Sequence, residues 1–151
     1  MPRTIEMIVS LKVPDTTAIT ALQTLQKLGF NKIKDVKRNF YYTFVIDGDE
    51  VDFKNKISKV DLIANANKHS CDFGIKKEGS VKILVKNTDD DESGLLSTLK
   101  SRLGFSNLKK VEYSVLWGLF INADEKEAKK IAEKAAKELL ANENYQEYII
   151  L

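Results

Sequence analysis

Alternating apolar and polar positions mark the start of each half of the chain. Apolar side chains occupy the odd positions from Ile5 to Leu11 and again from Val81 to Val85, and mostly polar residues separate them. A repeat of two is the side-chain period of a β-strand with one buried face. The pattern therefore predicts one strand near the beginning of each half.

A helical spacing follows each of these strands. Leucines recur there at intervals of three and four: Leu22, Leu25 and Leu28, and then Leu96, Leu99 and Leu103. Such intervals place side chains on one face of an α-helix. Asp15 and Ser93 are predicted to cap these helices at their N-termini. Gly29 and Gly104 are predicted to end them, because glycine adopts the left-handed conformation without a side-chain clash.

Two runs rich in β-branched and aromatic residues come next, at residues 33–46 and 108–121. Each run is long enough for two short strands, so a bent hairpin is predicted in each. Both alternate sets of positions are apolar; Tyr41 and Val45, for example, lie on the face opposite Phe44. Helices cover only one face of a sheet, so the other half of the chain is expected to cover the second. Two sheets packed face to face are predicted.

A second helix is predicted in each half. Asp124 and Glu127 form a capping-box pattern in the second half. Apolar stripes at helical spacing follow in both halves: Ala128, Ile131, Ala135 and Leu139, and Phe53, Ile57, Val60 and Ala64. Asn65 and Asn142 stand where these helices should end, in the left-handed conformation that asparagine tolerates. A short final strand is expected after each helix.

The two halves repeat each other. Gly29 recurs as Gly104 within a Leu-Gly-Phe motif, an offset of 75 (104 minus 29). Asn65 corresponds to Asn142, an offset of 77 (142 minus 65), so the second copy carries a two-residue insertion. We assign residues 1–77 to the first repeat and 78–151 to the second. Each has the order β-α-β-β-α-β, which predicts an α+β fold of two ferredoxin-like repeats packed sheet to sheet as a pseudo-dimer.

The amino-acid composition limits the classes of function that the chain is expected to have. The chain has 151 residues, 43% of them hydrophobic, and a net charge of +2. This length and apolar content suit a globular protein, and the weak net charge gives no argument for nucleic acid as a partner. The single cysteine and the lack of a long apolar segment lead us to expect a reducing cytoplasm and no membrane association.

Residues capable of catalysis or metal binding are sparse. His69 and Cys71 lie two residues apart on a predicted strand, which puts a thiolate pair within reach, although a half-buried structural cysteine is the simpler interpretation. The acidic run 89–92 precedes a predicted helix, where it suits the helix dipole better than it suits a cation. The aromatic run 40–44 is faintly similar to RNA-stacking strands but lacks their glycine-bearing motif. We therefore predict no catalytic, cofactor or metal site.

Several short motifs are distinctive. In the first copy they are Val9-Ser10-Leu11-Lys12, Ala21-Leu22, Leu28-Gly29-Phe30 and Lys34-Asp35-Val36-Lys37; in the second they are Leu139-Leu140-Ala141-Asn142 and Gln146-Glu147-Tyr148. These motifs resemble the PurS family, the small S subunit of phosphoribosylformylglycinamidine (FGAM) synthase. The chain is thus similar to two S subunits in tandem.

This resemblance implies a non-catalytic role in de novo purine biosynthesis. In that family the large subunit binds ATP, with Mg²⁺, and formylglycinamide ribonucleotide, and a glutaminase subunit releases ammonia from glutamine. A dimer of S subunits bridges the two. A tandem chain would supply that dimer in one polypeptide and bind no cofactor itself; a homodimer of tandem chains stays open.

We expect Lys34, Asp35, Lys37 and Arg38 to contact a partner, because exposed charges on a strand can recognise a polar surface. The alternative for these four residues is solubility alone. The alternative for the whole chain is a small-molecule-binding regulatory module, since pairs of ferredoxin-like domains also serve that purpose.

Overall fold

The computed structural model describes residues 2–65, 67–75, 79–88 and 92–151. Within these residues the six strands are β1 Pro2–Leu11, β2 Ile33–Asp47, β3 His69–Phe73, β4 Val81–Asn87, β5 Leu108–Ile121 and β6 Gln146–Ile150. The four α-helices are α1 Thr16–Lys27, α2 Glu50–Ile57, α3 Ser93–Ser97 and α4 Glu125–Ala135. π-Helical turns extend α3 through Thr98–Arg102 and α4 through Ala136–Leu140. The fold is α+β, as predicted.

The strands form one antiparallel sheet in the order β3-β1-β2-β5-β4-β6, rather than the two sheets predicted. The predicted bent hairpins are also wrong. β2 and β5 are continuous strands of 15 and 14 residues. Neither run has a glycine or proline at its middle to make the tight turn that a hairpin requires. Each half therefore has the order β-α-β-α-β, with one long strand in place of two short ones.

The chain folds into two compact units, and each unit draws on both halves of the sequence. The first unit takes its described residues from 1–13, 40–75 and 90–113, and the second from 14–39, 76–89 and 114–151. The predicted boundary at residue 77 divides the sequence repeats and stays a prediction for them, but the compact units do not follow it. Residues 76–78, at that boundary, lie outside the described residues.

The core of the first unit combines both repeats. Its buried residues from the first repeat are Ile5, Met7, Val9, Phe44, Ile46, Phe53, Ile57, Ile63 and Ala64. Its buried residues from the second repeat are Leu99, Phe105, Leu108 and Val111. The second repeat thus supplies the end of α3 and the start of β5 to a core that otherwise belongs to the first repeat.

The core of the second unit is the reciprocal arrangement. The first repeat contributes Ala18, Ala21, Leu25, Phe30, Ile33 and Val36. The second repeat contributes Ile83, Val85, Trp117, Leu119, Ala132, Ala135, Ala136, Leu140 and Ala141. Here α1 packs with the strands and helix of the other repeat. The two repeats therefore exchange segments. The first helix of each repeat, with the adjoining part of its long strand, packs in the core formed mainly by the other repeat.

Two apolar side chains on the face away from the helices are nevertheless buried. Ile8 is 7% exposed and Leu116 is 2% exposed, and both alternate with core residues along their strands. Ile8 is paired with Tyr41 on the neighbouring strand, and Leu116 with Leu84. Neighbours within the sheet account for part of the shielding that the sequence had assigned to a second sheet.

The predicted helix caps are confirmed in part. The Asp15 side chain accepts hydrogen bonds from the backbone N–H groups of Thr17 and Ala18 at 3.0 and 3.2 Å. Gly29 and Gly104 have the expected positive φ, 99° and 78°. The Ser93 prediction is wrong, because α3 begins at that residue and the preceding residue makes no side-chain cap.

Only one of the two hydrogen bonds of the predicted capping box is present at α4. The Asp124 carboxylate accepts from the Glu127 N–H at 2.8 Å. The Glu127 carboxylate does not return the bond, because it pairs with Lys32 at 2.6 Å. The π-helical turn closes with a bond from the Ala141 N–H to the Ala136 carbonyl at 2.9 Å, and such a turn holds one residue more than an α-turn.

The prediction that Asn65 and Asn142 adopt the left-handed conformation is wrong, since no described non-glycine residue has a positive φ. Helix α2 also ends at Ile57, well before Ala64, and turns follow it. Asn65 and Asn142 serve the same purpose by side-chain bonds. Each accepts, through its side-chain oxygen, from the N–H two residues further on, at 2.9 and 3.0 Å. The two turns are built alike at corresponding positions of the repeats.

Dividing the chain after residue 78 tests the exchange of segments. We expect each isolated fragment to lack cooperative unfolding, because each has lost residues from both cores. Mixing the fragments should restore the far-ultraviolet circular dichroism and the cooperative transition of the intact chain. Two fragments that fold separately as monomers would show that the exchange is not required.

Candidate functional site

The four charged residues expected to bind a partner all lie on β2, in the second unit. Lys34, Asp35 and Lys37 are exposed, and Arg38 is half-buried. Ile33 and Val36 both belong to the core although they are three residues apart. Strict alternation would not allow this, so the strand departs from it here, as at a β-bulge. The departure leaves two consecutive charged side chains, 34 and 35, exposed.

Local contacts hold the exposed charges in place. The Lys34 Nζ donates to the carbonyl of Asn31 at 2.9 Å. The Asp35 carboxylate accepts from the Val36 N–H at 2.9 Å. The Lys37 Nζ lies 5.2 Å from the centroid of the Phe120 ring, a cation–π distance. Each side chain keeps its exposure, so partner binding by these three residues stays a prediction.

Arg38 has a structural role that the sequence did not reveal. Its Nε and Nη2 atoms donate to the two carboxylate oxygens of Asp15 at 2.9 and 3.2 Å. Both side chains are largely shielded from water, at 21% and 15% exposed, and the same carboxylate caps α1. A two-point pair of this kind fixes both distance and angle. Arg38 therefore holds the start of α1 to β2 within the second unit, and its contact with a partner also stays a prediction.

His69 and Cys71 lie on β3 and are both half-buried. The Nδ1 atom of His69 accepts from the Asn65 N–H at 3.0 Å, and the ring packs edge-on against Phe40. Burial, and then the charge of Asp72, raise the pKa of the Cys71 thiol above its usual range. A raised pKa lowers the thiolate fraction at neutral pH. No hydrogen bond joins His69 to Cys71 in the described structure, so the pair is not arranged as a nucleophile and base.

The turn at His69 has a matched counterpart, in which Gln146 accepts from the Asn142 N–H at 2.9 Å. We expect His69→Gln to keep stability, because the amide oxygen supplies the same acceptor. His69→Leu should lower the free energy of unfolding by about 1 kcal/mol, the typical net value of one hydrogen bond. Urea unfolding measures both. Gln146→His and Gln146→Leu are the controls in the other turn, and equal stability of the Gln and Leu variants at position 69 would refute the role.

The described part of the chain contains no cluster of side chains suited to binding a metal ion. No group of three or more histidine, cysteine, aspartate or glutamate side chains is placed to hold a metal ion there. Asp89, Asp90 and Asp91 of the acidic run lie outside the described residues. Glu92, the last residue of that run, accepts from the Tyr113 N–H at 3.4 Å. Among the described helices, none has both the length and the apolar character of a membrane span.

Three aromatic residues of β2, Phe40, Tyr42 and Phe44, make ring contacts rather than standing open, whereas the Tyr41 hydroxyl donates to Glu6. The Tyr113 ring lies 6.2 Å from Phe40 and 5.1 Å from Tyr42, and Tyr42 lies 5.9 Å from Phe44. Phe40 and Tyr42 also pack against the core of the first unit. An RNA-stacking platform needs exposed ring faces. This cluster instead contributes to the core, and burial, followed by Tyr113, raises the pKa of Tyr42 to about 12.

Tyr42 gives stability a dependence on alkaline pH. An unfolded tyrosine ionises near pH 10. The unfolded state therefore loses this proton first, and the free energy of unfolding should fall as the pH rises from about 10 to about 12. Tyr42→Phe should reduce that slope by up to about 1.4 kcal/mol per pH unit. Denaturant unfolding between pH 9 and 11.5 measures it, with the exposed Tyr145→Phe as control; equal slopes in both variants would contradict the assignment.

Comparison with known proteins gives one family similarity, in the second half of the chain. Residues 81–151 match the sequence model of PurS, described as phosphoribosylformylglycinamidine (FGAM) synthase. This segment, just under half of the chain, is similar to the PurS family. No curated protein matches the chain. The matched PurS segment contains β4, α3, β5, α4 and β6, and it therefore supplies residues to the cores of both units.

Proposed function

We propose that this chain is a non-catalytic structural subunit of FGAM synthase in de novo purine biosynthesis, built as two PurS repeats in tandem. The family match supports the second repeat. The matched turns at Asn65 and Asn142 and the positive-φ glycines at 29 and 104 support the first. These features occur at the offsets seen in the sequence.

The observation that carries the proposal is the composition of the two cores. Each compact unit contains buried residues from both repeats. Two separate subunits would have to associate before either core was complete, and association costs translational and rotational freedom. One tandem chain avoids that cost and delivers the paired arrangement as a single polypeptide.

In this proposal the chain bridges the ATP-dependent large subunit and the glutaminase subunit. ATP and Mg²⁺ belong to the large subunit, and this chain binds no cofactor. His69 and Cys71 are the residues best suited to nucleophilic chemistry. The His69 side chain accepts a hydrogen bond within a turn, and the Cys71 side chain packs against the core of the first unit. We place the complex in the cytoplasm, without nucleic acid or membrane, and a homodimer of tandem chains is compatible with it.

A second candidate function rests on a groove of about 400 Å³ in the second unit. Threonines of α1 and the Trp117 ring line it. This volume suits a small molecule. A ferredoxin-like regulatory module that binds an amino acid or nucleotide would use such a groove, which makes this the alternative to a bridging subunit.

Reconstitution separates the two functions. We expect the purified chain to form a complex with the large and glutaminase subunits of its own organism, with one tandem chain for each large subunit, in glutamine and ADP. Sedimentation or light scattering gives the stoichiometry, and glutamine-dependent synthase activity should require the chain. No complex, together with a rise in melting temperature on adding one amino acid or nucleotide, would favour the regulatory module.

A further inference from the structure

A basic groove lies at one end of the second unit, between the C-terminal end of α1 and the side of α4. Its volume is about 430 Å³, and the lining includes the Leu-Gly-Phe motif that ends α1. We call it the α1–α4 groove, and its central residues are Leu28, Lys130, Ile131 and Lys134.

The floor of the α1–α4 groove is apolar. Leu28 is 52% exposed, although it follows directly after a helix whose other leucines face the core. Ile131, on α4, is half-buried and packs against the core from the same side. Two aliphatic side chains, from α1 and α4, therefore line one concave surface.

The rim of the groove carries positive charge that the described residues do not neutralise. Lys130 and Lys134 lie four residues apart on α4 and are exposed. Neither forms an ion pair in the described part of the chain, even though Glu138 lines the same groove. Lys129 of α4 and Lys137 of the π-helical turn do have partners: their Nζ atoms lie 3.9 Å from Glu125 and 3.7 Å from Glu133. The groove lysines are therefore available to an outside carboxylate.

The corresponding place in the first unit lacks this combination. At the offset of 75, Lys130 corresponds to Asn55 and Ile131 to Lys56. Lys56 is an ion-pair partner of Asp52 at 3.0 Å. The first unit keeps an exposed leucine, Leu103, at 45% exposure, but it has neither the second aliphatic residue nor the pair of free lysines. The basic, apolar groove is a property of the second unit.

The electrostatics of the groove and the spacing of its two lysines favour an extended peptide segment over a compact anion such as phosphate. The negative end of the α1 dipole faces the groove, which disfavours a phosphate bound at that end. The two lysines are spread along one turn of α4, about 6 Å apart at the backbone. Exposed ion pairs alone contribute little, so stable binding also requires an apolar side chain on the floor.

We propose that the α1–α4 groove docks an acidic segment of a protein partner. An aliphatic or aromatic side chain of that segment lies on Leu28 and Ile131, and its carboxylates pair with Lys130 and Lys134. The identity of the partner rests on the proposed function, which makes it a subunit of FGAM synthase. The charges speed association and the apolar contact slows dissociation.

Charge reversal in the intact chain tests the groove within the reconstituted complex. Lys130→Glu with Lys134→Glu should weaken binding to the partner subunit by about tenfold or more at low salt and flatten its salt dependence. The matched control is Lys129→Glu with Lys137→Glu, which makes the same change of charge on the same helix outside the groove. Thermal melting confirms that both variants are folded.

The apolar floor has its own variant, Leu28→Ser, which should mainly raise the dissociation rate. A photo-reactive phenylalanine analogue at position 28 should crosslink to a segment rich in aspartate and glutamate, found by mass spectrometry. Equal binding by the groove variant and its control, with the wild-type chain bound, would overturn the groove alone. A wild-type chain that binds neither subunit would overturn the proposed function and the groove with it.

Discussion

The uninterrupted length of β2 and β5 is the constraint on which the rest of the structure depends. A strand of 15 residues extends about 50 Å, too far for both ends to serve one small core. Ile33 and Val36 therefore belong to the second core, whereas Phe44 and Ile46 belong to the first. Because α1 comes directly before the start of β2, it packs in the second unit, whereas β1 belongs to the first. The exchange of helices follows from the strand.

Local patterns in the sequence were sufficient for most elements. Period-two alternation located β1 and β4, and Asp15 caps α1 as its position indicated. The long strands were misjudged because the patterns that define a strand do not say where it turns. The informative signal was an absence: the middle of residues 33–46 offers no glycine or proline, and a hairpin there would need one. Which strand then pairs with which is decided by contacts remote in sequence.

The surface was less predictable than the fold, for the same reason. Arg38 was indistinguishable from its charged neighbours in sequence, yet its partner, Asp15, is 23 residues away. In the sequence, glutamates are interspersed with the lysines of α4, a pattern typical of a solvated face that does not distinguish one lysine from another. Only the structure separates the lysines that pair along the helix from Lys130 and Lys134, and only the structure shows that Ile131 is half-exposed beside them.

In the proposed tandem arrangement, fusion of two repeats would permit what a dimer of identical subunits does not. A symmetric dimer shows every surface twice, and any residue that suits one partner appears again where the other partner binds. In one chain the two copies vary independently: Ile131 stands where the first repeat has Lys56, and α4 carries a π-helical turn that the described residues of α2 do not. The proposed bridge joins two unlike subunits. Under this proposal, a chain with one basic, apolar groove and one altered counterpart would hold the two subunits in a single orientation, which identical halves would not specify.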